Sequence, residues 1–108
     1  MEINEYQILA MKTNNNQLSL EMMLVNSALG LAGETGEVVD LIKKHYFHGH
    51  QLDKQLLIKE LGDVCWYVAQ CCQAIDIDME TVMLQNIDKL TKRYPNGFNS
   101  SDSINRKD

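Results

Sequence analysis

Two stretches of this chain carry a mostly apolar seam at alternating steps of four and three residues. Leu24, Ala28, Leu31, Thr35, Val38 and Ile42 make the first, and Leu57, Leu61, Val64, Val68, Cys71 and Ile75 make the second. That spacing follows the turn of an α-helix and is the pattern of a bundle helix, which covers one stripe and shows the rest to water. One proline and six glycines in 108 residues leave little for the many turns of an all-β chain. The expectation is an all-α, four-helix-bundle-like fold built as one domain.

The boundaries follow from local chemistry. Ile3, Tyr6, Leu9 and Ala10 predict a short first helix, ended by Thr13 to Asn16, where successive asparagines favour turns. Ser19 is the expected cap of a second helix over about Leu20 to Tyr46, and Asp53 the expected cap of a third that runs to about Ile75. Asp78 is the expected cap of a fourth, with Glu80 in its first turn, an apolar face of Val82, Met83, Ile87 and Leu90, and Lys89, Lys92 and Arg93 near its end, before Pro95 and Gly97 stop it. The domain is predicted to span 1–98, followed by a polar tail over 99–108 that is predicted to be disordered. Within the second helix, Gly30, Gly33 and Gly36 each cost about 1 kcal/mol relative to alanine, so close approach of another helix or of a ligand is expected there.

Charge and composition exclude several functions. The net charge is −5 and no basic stripe stands out, so nucleic acid is not an expected partner. No apolar run reaches the length of a membrane span, and the acidic first residues do not resemble a signal peptide. Cys65, Cys71 and Cys72 have neither the spacing of a zinc site nor the number for a closed disulfide framework, and read as reduced, buried thiols. The expected location is the cytoplasm. His45, His48 and His50 read as loop and surface residues, and Trp66 as a core or interface residue more than a base-stacking platform.

Four acids carry the chemical signal. Glu34 and Glu37 are three apart on the second helix, and Glu60 and Asp63 are three apart on the third. Three residues advance a helix by about 300°, so each pair projects from one face. Ser27, Gly30, Glu34, Glu37 and Leu41 share a ridge beside the first seam; Glu60, Asp63 and Tyr67 share one beside the second. A short loop makes the two helices antiparallel neighbours, which lets both pairs converge. Carboxylates crowded together repel and take up protons unless a cation neutralises them, and oxygen donors alone select Mg²⁺ or Mn²⁺ over zinc. The same spacing also occurs on solvated helix faces that bind nothing.

The segment from Ala28 to Lys44, ALGLAGETGEVVDLIKK, together with KELGDVCWYVA from Lys59 to Ala69, resembles the MazG-like nucleotide pyrophosphohydrolases, all-α enzymes related to dimeric dUTPases and dCTP pyrophosphatases. The closing NIDKLTKRYPNGF, from Asn86 to Phe98, is similar to the end of many single-domain members, and the likeness runs from Tyr6 through Phe98. One position departs: Gly33 stands where the first acid of the family's EExxE would be, which removes one ligand and leaves the ExxE and ExxD pairs.

The resemblance implies Mg²⁺-dependent hydrolysis of nucleoside triphosphates to monophosphate and pyrophosphate, as nucleotide-pool housecleaning. It implies that Glu34, Glu37, Glu60 and Asp63 hold magnesium (manganese as a substitute), that Glu34 or Glu37 orients or deprotonates the attacking water, and that Asn86, Lys89 and Arg93 bind substrate. It also implies a homodimer or homotetramer, in which two chains can contact one substrate. Two other readings remain. A di-iron carboxylate bundle would need the Glu-x-x-His motifs that this sequence lacks. A non-enzymatic helical interaction module would leave the acids merely exposed.

Overall fold

The computed structural model describes residues 1–106. It is all-helical: α1 (Ile3–Ala10) runs into a 3₁₀ turn (Met11–Thr13), followed by α2 (Leu20–Phe47), α3 (Lys54–Ala74), α4 (Met79–Arg93) and a short α5 (Ser100–Ile104). Among the described residues there is no strand, only an isolated bridge between Pro95 and Gly97.

Two of the three expected caps form. The Ser19 hydroxyl accepts from the Met22 amide at 3.1 Å, and Asp53 accepts from the Gln55 and Leu56 amides at 2.9 and 3.3 Å. Both bonds satisfy amides that a helix start leaves without a partner. Asp78 has the extended backbone of a cap, yet its side chain accepts nothing from the helix. Two side chains of α1 take its place: Gln7 Oε1 accepts from the Met79 amide at 2.7 Å, and Asn4 Oδ1 from the Glu80 amide at 3.2 Å. The tail departs from its expected disorder, because Asn99 caps α5 by accepting from the Asp102 amide at 2.7 Å. Residues 107–108 lie outside the described residues.

α2 and α3 form the spine, an antiparallel hairpin closed by the loop at 48–53. Asn26 meets Gln70, Gly30 meets Tyr67 and Glu34 meets Glu60 and Asp63, so the contacts step in opposite senses along the two helices. Asn26 Nδ2 donates to Gln70 Oε1 and Gln70 Nε2 donates to Asn14 Oδ1, both at 2.9 Å, which ties the segment before α2 into the hairpin. Gln70 is fully buried, and both ends of its amide are satisfied there.

The core lies elsewhere than the seams suggest. Its buried members are Ala10, Ala69, Cys72 and Met79, where α1, α3 and the start of α4 meet, with Tyr6, Met11, Trp66, Val68 and Ile77 packed around them. Leu24 and Ile42 on α2, Leu61 and Ile75 on α3, and Val82, Met83, Ile87 and Leu90 on α4 remain exposed. A two-helix hairpin covers only one side of each helix, and α4 does not lie along it: every residue from Glu80 to Lys92 is exposed. The radius of gyration, 17.0 Å, exceeds the roughly 13 Å of a compact chain of this length. The accessible surface, 8057 Å², compares with about 6,100 Å² for a folded monomer of this mass. One chain is therefore an open structure, with apolar faces turned outward. Of the three cysteines, Cys72 is buried, Cys71 half-buried and Cys65 exposed, so the expectation of buried thiols fails at Cys65.

Candidate metal centre and substrate cleft

The ridge of α2 that starts at the buried Ser27 leads to the acids. Gly30 is its first constraint: a β-carbon there would overlap the Tyr67 ring, so the helices approach as closely as they do only because position 30 has no side chain. Gly33 and Gly36 meet no atom within 4 Å, so the close approach expected of all three glycines occurs at one of them within the chain.

One turn beyond Gly30, Glu34 faces Glu60 and Asp63 of α3. The three carboxylates each place an oxygen within 4.8 Å of the others, with Glu34 and Glu60 half-buried and Asp63 exposed. The Glu34 carboxyl is held above its ordinary pKa of 4.5, first by a hydrogen bond with the Glu60 carboxyl, then by partial desolvation and by the charges of Asp63, Glu60 and Glu37. Carboxylates crowded in this way favour uptake of a proton or of a cation.

Glu37 stands outside this group of three. It is exposed, one turn further along α2, and its charge is felt by Glu34 on one side and Lys44 on the other. Past it, Asp40 accepts from Lys44 at 2.9 Å and from Lys43 at 3.3 Å; these bonds hold its carboxyl below the usual range and raise the Lys44 ammonium. The structure thus brings together three of the four expected ligands.

A cleft of about 350 Å³ opens beside the acids, lined by Thr13, Glu34, Asp63, Trp66 and Tyr67. The Trp66 indole N–H donates to the Ala10 carbonyl at 2.9 Å and to Thr13 Oγ1 at 2.8 Å, while Thr13 Oγ1 donates to the same carbonyl at 3.0 Å. Trp66 packs on the core, as expected, and also walls the cleft, with the Tyr67 ring edge-on at 5.0 Å. Thr13 enters as a residue that sequence reasoning passed over, because its only legible property was that of a helix breaker.

Asn86 and Lys89 lie on α4, where with Val82 and Gln85 they surround a separate, open depression of about 330 Å³. Arg93 is half-buried at the end of the same helix. None of the three lines the cleft beside the acids. The histidines stay clear of the acids: His45 Nδ1 bonds the His50 carbonyl at 2.9 Å and steadies the loop. Among the described residues, no helix is long and apolar enough to cross a membrane.

Gene 37 protein of Mycobacterium phage L5 is 37% identical over 82 residues, which span 72% of this chain and 72% of the phage protein. No solved structure gives a significant match. The MazG nucleotide pyrophosphohydrolase domain matches residues 25–98, a span that runs from the first turns of α2 through the end of α4 and takes in all four acids. The chain belongs to the MazG nucleotide pyrophosphohydrolase family.

Proposed function

We propose that this protein hydrolyses nucleoside triphosphates, ribo- or deoxy-, to the monophosphate and pyrophosphate with Mg²⁺, clearing unwanted nucleotides from the cytoplasmic pool. The observation that carries this reading is the convergence of Glu34, Glu60 and Asp63 from two helices at the edge of a cleft of nucleotide scale. Their donors are all carboxylate oxygens, a set that fits Mg²⁺ or Mn²⁺ and disfavours softer ions. Bound there, the ion would supply Lewis acidity toward the phosphates and a more acidic water.

The chain's own residues supply the rest. Glu34, Glu60 and Asp63 would hold that ion, whose positive charge would face the triphosphate. Glu37, outside the trio but within its electrostatic reach, is the carboxylate left to orient a water toward the α-phosphorus and take up its proton. Thr13, Trp66 and Tyr67 form the wall against which the nucleoside rests. Asn86, Lys89 and Arg93 bind the substrate from α4.

Because α4 stands off the hairpin, those groups serve best in an assembly, where α4 of one copy lies over the cleft of another. The surplus of about 1,900 Å² of surface over a compact monomer is the amount a chain in an obligate dimer or tetramer covers. A helical interaction module without activity would explain that apolar surface equally well, but not the convergence of Glu34, Glu60 and Asp63 beside a cleft.

The test is a pyrophosphate-release assay over standard and modified NTPs and dNTPs with Mg²⁺ or Mn²⁺, run beside Glu34→Gln and Glu37→Gln. Loss of a group that merely supports a metal ligand costs about 10- to 100-fold, so loss of a ligand should cost at least that. Equal rates in wild type and both variants would end the enzymatic reading.

A further inference from the structure

We propose that Gln7, with Asn4, is a positioning latch: α1 aims α4, and thereby places Asn86 and Lys89 where the triphosphate needs them. This rests on the reading above, in which α4 carries substrate contacts.

An acid at the cap position could have closed the start of α4 locally, and Asp78 does not. The amides there are instead taken by a different helix. Gln7 Oε1 accepts from the Met79 amide at 2.7 Å, and Gln7 Nε2 donates to the Ile77 carbonyl at 3.0 Å and to Gln73 Oε1 at 3.4 Å. Asn4 repeats the exchange one turn earlier on α1, accepting from the Glu80 amide and donating to the Glu80 carboxylate, both at 3.2 Å. A local cap satisfies amides at any helix direction, whereas two bonded points on a neighbouring helix fix an axis.

The latch is stiff. Gln7 is 5% exposed, and its amide satisfies groups at the start of α4, in the turn before it and on α3. If it moved, the buried Met79 amide would lose its partner in a place water does not reach easily. At its other end α1 is bound to the cleft itself, since the Ala10 carbonyl and Thr13 hydroxyl take the Trp66 N–H. α1 thus connects the wall of the cleft to the root of α4.

Among the described residues α4 is seated at its root, where Met79 is buried in the core, while Glu80 to Lys92 are all exposed. Lys89 is ten residues beyond Met79, about 15 Å along the axis, so a tilt of roughly 10° at the root would displace it by about 2.6 Å. Displacements of about 1 Å already cost orders of magnitude in rate where groups must be aligned on a substrate.

The experiment compares Asn4→Ala, Gln7→Ala, Asn86→Ala and Lys89→Ala in the full chain. Affinity for the α,β-methylene analogue of whichever dNTP the pyrophosphate assay ranks first is read from the fluorescence of Trp66, the one tryptophan. Steady-state kinetics, Mn²⁺ affinity and thermal unfolding are measured on the same samples. Asn4→Ala and Gln7→Ala are expected to weaken analogue binding and raise KM about tenfold, as Lys89→Ala does, with kcat changed less and Mn²⁺ affinity within twofold of wild type. If Gln7→Ala does not fold, Asn4→Ala, which removes a half-buried side chain only, decides the matter.

Unchanged affinity and KM in both α1 variants, with Lys89→Ala impaired, overturns the latch and leaves the role of α4 standing. An unimpaired Lys89→Ala together with an unimpaired Asn86→Ala removes the substrate role of α4 and the latch with it. Parallel losses of Mn²⁺ affinity, kcat and melting temperature in the α1 variants would mark general loosening, and also overturn it.

Discussion

A β-carbon at position 30 and the Tyr67 ring claim the same volume, so Gly30→Ala has to part α2 from α3 or turn the ring out of the cleft. Overpacking of this kind costs about 1–3 kcal/mol, and it outweighs the roughly 1 kcal/mol that alanine returns in helix propensity. The variant should melt below wild type and bind nucleotide less well. Gly36→Ala, where no atom stands within 4 Å in the single chain, should melt higher, and differential scanning calorimetry of the two checks the contrast.

Glu34 makes a second prediction at this scale. Its carboxyl is raised above 4.5 by the bond with Glu60, so the folded, metal-free chain holds that proton more tightly than the unfolded chain does. The resulting stabilisation is complete below 4.5 and is lost as pH rises through the folded value. Mg²⁺ bound at the trio would replace the proton and reverse the trend, so metal affinity should climb over the same interval. Melting curves against pH, with EDTA and with Mg²⁺, should therefore slope in opposite senses, and Glu34→Gln should flatten both.

Among the helices, caps separate what could be read from what could not. Asp53→Ala should cost about 1 kcal/mol, seen as a lower midpoint in urea, because the Gln55 and Leu56 amides lose their acceptor. Asp78→Ala should cost far less, since its side chain caps nothing. Ser19 and Asp53 were legible as caps because the bond each makes lies within three residues of itself. Asp78 carried the same local signal, but Gln7 and Asn4, more than seventy residues away, outcompeted it. The pair was visible only as two amides three apart on α1, with nothing to name their partner. The acids were legible for the first reason: helical spacing puts Glu60 beside Asp63, and a short loop brings Glu34 opposite. Thr13 was not, because what makes it part of the cleft is a bond to Trp66, far along the chain. The seams of α2 and α3 were placed on the right helices, but periodicity marks an apolar stripe without saying which surface covers it.

For the protein as a whole, that stripe makes a prediction. A chain of 12.4 kDa with this much outward apolar surface should not persist alone, so light scattering after gel filtration should give a mass of two or more chains. Dilution should then lower the melting temperature, as expected when folding and association are linked.

The off-centre core has a kinetic consequence as well. Packing is densest where Ala69, Cys72 and Met79 meet α1, and thins toward the far tip of the hairpin, where Tyr46 and Phe47 lie open. Amide hydrogen exchange should therefore be graded along the spine, slowest around Gln70 to Ala74 and fastest around His45 to Leu56. The carboxylate trio stands partway along that gradient, so a fraying tip would part its three oxygens well before the junction of α1 with α3 came apart.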